Sequence, residues 1–192
     1  MIQLRYPVIL ASGSPRRKEL LEMLEIPFTV KTVPVEESVP TDIAPIDAAL
    51  YLAKQKADAH MHLAKDHILI TADTTVIANN KELGKPTNAE NAIQTLTTLS
   101  GQTHNVITGV VIRANEIEHA FSVATSVTFR NLAENEISHY VASGKANDKA
   151  GSYGIQDWIG LIGIERIEGS YYNVMGFPTL EVYQILKSNF SY

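Results

Sequence analysis

Apolar residues fall along this chain in two rhythms. Pro7–Ala11 (PVILA) and His67–Asp73 (HILITAD) are short, nearly unbroken apolar runs, the reading of strands buried on both faces. Thr74–Ala78 (TTVIA) extends the second. Phe28–Val33 alternates like a strand, and Asn105–Arg113 and Ile117–Phe129 predict two long strands turning near Asn115-Glu116. Asn79-Asn80 predicts a hairpin turn. A further strand is expected over Leu161–Ile167, followed by a turn at Gly169-Ser170.

Helical spacing fills the intervals. Pro15–Glu25 sets Leu20, Leu21 and Leu24 on one face, behind Ser14 as N-cap and Pro15 at the first helical position. Asp47–Leu63 places Ala49, Leu52, Ala53 and Lys56 on neighbouring turns. Thr87 and Glu90 form the spacing of a capping box ahead of an Ile93, Leu96, Leu99 stripe. Glu134–Ser143 is stopped by Gly144, and Thr179–Lys187 is the last helix. Strands and helices are interspersed, yet some strands form hairpins. The expected fold is therefore α/β, with a mixed, partly antiparallel twisted sheet and flanking helices. No linker, repeat or low-complexity tract interrupts it, so residues 1–192 read as a single domain.

Composition narrows the chemistry. The 192 residues are 45% hydrophobic and 19% charged, as in ordinary soluble domains. The net charge of −5 argues against nucleic acid as a partner, so any anion site must be a local patch. The absence of cysteine excludes disulfides, thiol catalysis and cysteine-based zinc sites, and fits a cytoplasmic location. The N-terminus is a poor signal peptide, and no apolar run is long enough to span a bilayer, so no membrane partner is expected.

The stretch ILASGSPRRKELLEML (Ile9–Leu24) stands out. Arg16 and Arg17 sit at a helix start, where they oppose the dipole by about 0.3–1 kcal/mol each when exposed. A bound polyphosphate would reverse that cost. Main-chain N–H groups at the turn, Gly13, the hydroxyls of Ser12 and Ser14 and two guanidinium forks make an anion pocket. The alternative is a solvated helix start whose arginines pair with nearby carboxylates. Asp73 ends an apolar strand, a position suited to a metal ligand, a general base or a simple turn cap. Glu36-Glu37 offers oxygen ligands for Mg²⁺ or Mn²⁺, or is plain surface. Lys56 and Lys85 are candidate phosphate cations, although no P-loop and no G-x-G-x-x-G is present. Asp148–Gln156 (DKAGSYGIQ) reads as a binding loop rather than core, with Gln156 able to read a base edge through its amide. Gly169–Pro178 has similar character. His60 and His62 read as surface, and His104 as support for a loop.

Eight segments in this order resemble the Maf family of nucleoside triphosphate pyrophosphatases: LASGSPRRKELL, the EE loop, LAKQKA, TADTTV, GKPTNAENA, LSGQTHNVITGV, YVASGKANDKAGSYGIQ and IEGSYYNVMGFP. They span almost the whole chain. Lys145 departs from the pattern, where many members carry an acid. The resemblance implies two lobes around a deep cleft, a homodimer, a divalent metal (Mg, Mn or Co) and a nucleoside triphosphate cut to the monophosphate and pyrophosphate. It implies Asp73 as catalytic proton acceptor and Glu37, with Asp73, at the metal. Ser14, Arg16, Arg17, Lys56 and Lys85 would face the phosphates. Arg16, Thr74 and Gln156 match the branch that takes dTTP and UTP, with modified pyrimidine nucleotides also expected. The alternative is a nucleotide-binding regulator of septum formation without essential catalysis.

Overall fold

The computed structural model describes residues 2–192. Its strands are β1 (Val8–Leu10), β2 (Phe28–Val30), β3 (Ile68–Ala78), β4 (Lys81–Glu82), β5 (Thr103–Ala114), β6 (Ile117–Phe129) and β7 (Ile164–Glu168). Its α-helices are α1 (Pro15–Met23), α2 (Pro45–Ala59), α3 (Ala89–Leu99), α4 (Glu134–Ala142), α5 (Trp158–Gly163), α6 (Tyr171–Val174) and α7 (Thr179–Asn189). The sheet order is β2-β1-β3-β5-β6-β7, with β4 paired to β3. β1 is parallel to both β2 and β3, whereas β3/β4 and β6/β7 are antiparallel. The fold is therefore α/β with a mixed sheet, as the spacing of apolar residues implies.

The chain divides into two compact units. One comprises 1–73, 108–123 and 176–192, and the other 74–107 and 124–175.

In the first unit, β1 lies between β2 and β3. The chain leaves β1 through α1 to reach β2 on one side, then returns through α2 to β3 on the other. Such a divergence beyond the carboxyl ends of parallel strands is where open α/β sheets place ligands. Ser12, Gly13 and Ser14 follow β1 at that end. Val8 pairs with Ile68 and Leu10 with Ile70, so Asp73 lies three residues past the last register pair. Helix α2 packs tightly here. A Cβ at Gly109 on β5 would stand 2.4 Å from the Leu50 backbone, so only glycine lets the helix approach the strand so closely. Thr71 Oγ1 donates to the Ala53 carbonyl at 2.7 Å and fixes the helix along β3.

In the second unit, the core gathers Leu96 and Leu99 of α3, Ile137 and Tyr140 of α4, Phe129, Tyr153 and Ile159. Asn79 and Asn80 both adopt positive φ (51° and 58°), as a two-residue hairpin turn between β3 and β4 requires.

Several local expectations are corrected. The strand at Phe28 ends at Val30, and the helix over Asp47–Leu63 is α2 plus a 3₁₀ turn at Met61–Leu63. Leu161–Gly163 is the end of α5, and β7 begins only at Ile164. Thr87 and Glu90 do not cap α3. Asn88 is the N-cap, accepting from Asn91 N–H at 2.8 Å, while Asn91 Oδ1 accepts from Thr87 N–H at 3.3 Å. An asparagine one residue on offers the same acceptor, and its geometry wins.

Candidate active site

The turn after β1 and the middle of β3 bring together the candidate residues of the first unit. Side chains alternate along β3, so Thr71 and Asp73 share the face that meets α2. That register brings Asp73 to Lys56, whose Nζ donates to Asp73 Oδ1 at 2.5 Å. The same ammonium lies 2.8 Å from Glu37 Oε1. Lys56 and Asp73 are largely buried, at 15% and 13% side-chain exposure, and Glu37 is half exposed at 50%. Two acids thus converge on one cation, although Glu37 and Asp73 lie in different segments. Hard carboxylate oxygens around a cation suit Mg²⁺ or Mn²⁺, which complete their shells with substrate phosphates and water. Among the described residues, no group of three or more His, Asp or Glu is placed to hold a metal alone. Two carboxylates with phosphate oxygens are the donor set that fits.

Arg17 is half-buried and braced. Its Nε donates to the Gly176 carbonyl at 2.9 Å, and Nη1 donates to the Ala72 carbonyl at 2.8 Å and to Ser12 Oγ at 3.1 Å. Burial pushes its guanidinium below the ordinary value. Asp73 opposes that shift, Arg16 adds to it and Glu37 opposes it. The guanidinium is therefore fixed one residue from Asp73 along β3. Ser14 is the N-cap of α1, but its side chain makes no capping bond. The helix start is thus left to other acceptors, and open space lies beside Gly13. A cavity of about 160 Å³ is lined by Ser12, Gly13, Val33, Glu37, Lys56 and His60. It is smaller than the roughly 300 Å³ at which sites begin to enclose whole drug-sized ligands, so it has the scale of phosphoryl groups.

His60, expected at the surface, is 2% exposed. Its Nδ1 donates to the Lys56 carbonyl at 2.7 Å, and its Nε2 accepts from Val33 N–H at 3.0 Å. It ties the loop that leads to Glu37 onto the helix that carries Lys56. Its neighbour His62 is exposed.

Thr74, Lys85 and Gln156 lie in the second unit. Thr74 shares a face of β3 with Val76, and a Cβ at Gly151 would stand 3.0 Å from Val76. Lys85 is exposed and follows Gly84. The Leu83 and Gly84 carbonyls both accept from Gly151 N–H, at 2.9 and 3.2 Å, so the Lys85 turn is tied to the 148–157 segment. That segment is not the open loop its glycines suggest. Gly151, Ser152, Tyr153, Gly154 and Ile155 are buried, because Tyr153 and Ile155 join the core. Gln156 is half-buried, and its Oε1 is buried with no hydrogen-bond partner among the described residues. His104 lies in β5 and supports the 148–157 segment from there. It is bonded to Tyr153 OH at 2.7 Å and stacked on Phe129 with centroids 5.7 Å apart. Burial lowers its pKa to about 4.

A family model described as "Maf-like protein" matches residues 7–189. A "dTTP/UTP pyrophosphatase" of Phocaeicola vulgatus is 48% identical over 185 residues, covering 95% of this chain and 96% of the relative. One of Porphyromonas gingivalis strain ATCC 33277 is 48% identical over 187 residues (95% and 94%), and one of Bacteroides fragilis strain YCH46 is 46% identical over 185 residues (95% and 96%).

Proposed function

We propose, from the premise that this chain belongs to the Maf family, that it is a nucleoside triphosphate pyrophosphatase acting on dTTP and UTP. The observation that carries the reading is the meeting of Asp73 and Glu37 on Lys56 Nζ, beside a turn built for anions. Modified pyrimidine nucleotides fall within the same substrate class. The physiological result is removal of surplus or noncanonical pyrimidine nucleotides.

Water attacks the α-phosphorus of the nucleotide. A new P–O bond forms, the bond from the α-phosphorus to the bridging oxygen breaks, and pyrophosphate leaves. Asp73 orients that water and takes its proton. Lys56 engages Oδ1, which leaves Oδ2 as the receiving atom. Arg17, fixed by two carbonyls, and Arg16, Ser14, Lys56 and Lys85 meet the phosphate oxygens and stabilise charge passing onto the leaving group. Glu37 and Asp73 would hold a divalent ion, which would supply charge neutralisation of the triphosphate. Thr74 and Gln156 read the pyrimidine, and Gln156 has a buried carbonyl oxygen that lacks a partner among the described residues. The family resemblance also supports one functional domain over 1–192, a homodimer and a cytoplasmic location. No helix of the described residues is long and apolar enough to cross a membrane.

The test is a panel of nucleoside triphosphates with Mg²⁺ or Mn²⁺, with pyrophosphate and orthophosphate resolved by phosphorus NMR. The expected products from dTTP and UTP are the monophosphate and pyrophosphate. Asp73→Asn should lower kcat by about 10³-fold or more while retaining nucleotide binding. Orthophosphate as sole product, or full turnover in the variant, refutes the assignment. Binding without any turnover in the wild type would mark a regulator instead.

A further inference from the structure

Gln156 occupies the third position of a tight turn. Asp157 N–H donates to the Gly154 carbonyl at 3.0 Å and closes the four residues Gly154–Asp157. Both ends of that turn are held by one phenol. Tyr140 OH on α4 donates to Asp157 Oδ2 at 2.7 Å and accepts from Gly154 N–H at 3.2 Å. The ring is 1% exposed and packed in the core of the second unit, so the hydroxyl is delivered from a rigid base. Burial, then the bond to Asp157, pushes the Tyr140 pKa far above its ordinary value, so the hydroxyl stays a donor at every working pH. Gly154 is required for the approach. A Cβ there would stand 2.5 Å from Asp157 Oδ2 and 2.8 Å from Lys149 Cε. Lys149 Nζ lies 3.6 Å from Asp157 Oδ2 and donates to the Lys145 carbonyl at 2.6 Å, bracing the acid from a second side.

We infer that Tyr140 is a positioning residue for nucleobase selection: its hydroxyl clamps Gly154 and Asp157 and so fixes the angle at which Gln156 meets the base. This rests on the reading of Gln156 given above. The tyrosine touches no substrate. A carbonyl oxygen aimed by a rigid turn discriminates between bases, whereas the same amide on a loose turn adapts to several.

The experiment measures kcat/KM for dTTP and dGTP in the full-length protein, with melting temperatures alongside. Tyr140→Phe keeps the ring and removes the hydroxyl. It should lower the dTTP/dGTP ratio about tenfold, mainly through a higher KM for dTTP, with kcat near wild type. Asp157→Ala approaches the same contact from its other end and should do likewise. Asp157→Asn keeps an acceptor for the phenol and should restore most of the ratio. Gln156→Ala sets the reference. An unchanged ratio there overturns the reading of Gln156 and this inference with it. A ratio lost in Gln156→Ala but kept in both Tyr140→Phe and Asp157→Ala overturns the clamp alone. A lower melting temperature with an unchanged ratio reduces Tyr140 to a structural role and equally overturns it.

Discussion

His104 illustrates how one buried side chain writes itself into the stability of the protein. Its folded pKa of about 4 lies below the ordinary 6.5 because burial penalises the imidazolium. As pH falls, the unfolded chain therefore binds the proton first, and stability declines. The contribution is whole above pH 6.5, erodes between 6.5 and 4, and levels off below, with a total of about 3 kcal/mol. Urea midpoints at pH 7 and pH 4.5 should thus differ more in the wild type than in His104→Gln. Equal differences would remove His104 as the cause. Neither this histidine nor His60 was legible in the sequence. Spacing speaks only to neighbours along one element, whereas the Nε2 of buried His60 is bonded by the backbone N–H of Val33, 27 residues away. The acids were more legible. Asp73 follows an apolar run, and a carboxylate there is conspicuous. That Lys56 would meet Asp73 and Glu37 together depends on the return of α2 across β1, which no local pattern carries.

At the level of elements, unbroken apolar runs and turn residues are the signals that the fold follows most directly. Examples are β3, the Asn79-Asn80 turn, and α4, whose C-cap precedes Gly144. Misreadings fell where two local signals compete. Ile162, Ile164 and Ile167 favour a strand over Leu161–Ile167, yet the Asp157 carbonyl accepts from Gly160 and Leu161 N–H, at 2.9 and 3.1 Å, and starts a helix that runs to Gly163. The glycines of 148–157 suggested a loop, although Tyr153 and Ile155 anchor it in the core. Helix α2 is the element on which the site depends most, since it carries Lys56 and is seated by Gly109. A methyl group at that position must push the helix away. Gly109→Ala should cost about 1–3 kcal/mol of stability, read as a lower melting temperature, and should also depress kcat by displacing Lys56. A variant that melts and turns over like the wild type would show that α2 can shift without consequence.

On the scale of the whole molecule, an acidic chain of net charge −5 must hold a polyanion. On the reading proposed above it would do so with a few cations placed locally rather than with a broad basic face. The same economy governs its own acids. Because Lys56 already answers the charges of Asp73 and Glu37, the fold carries an internal counter-ion and does not depend on an external one to stay assembled. Chelation should therefore stop turnover yet leave a cooperative melt, with its midpoint moved by no more than about 3 °C. A broad, early melt in chelator would contradict this. A cell starved of divalent ions would then hold this protein dormant and intact, ready to resume work when the supply returns.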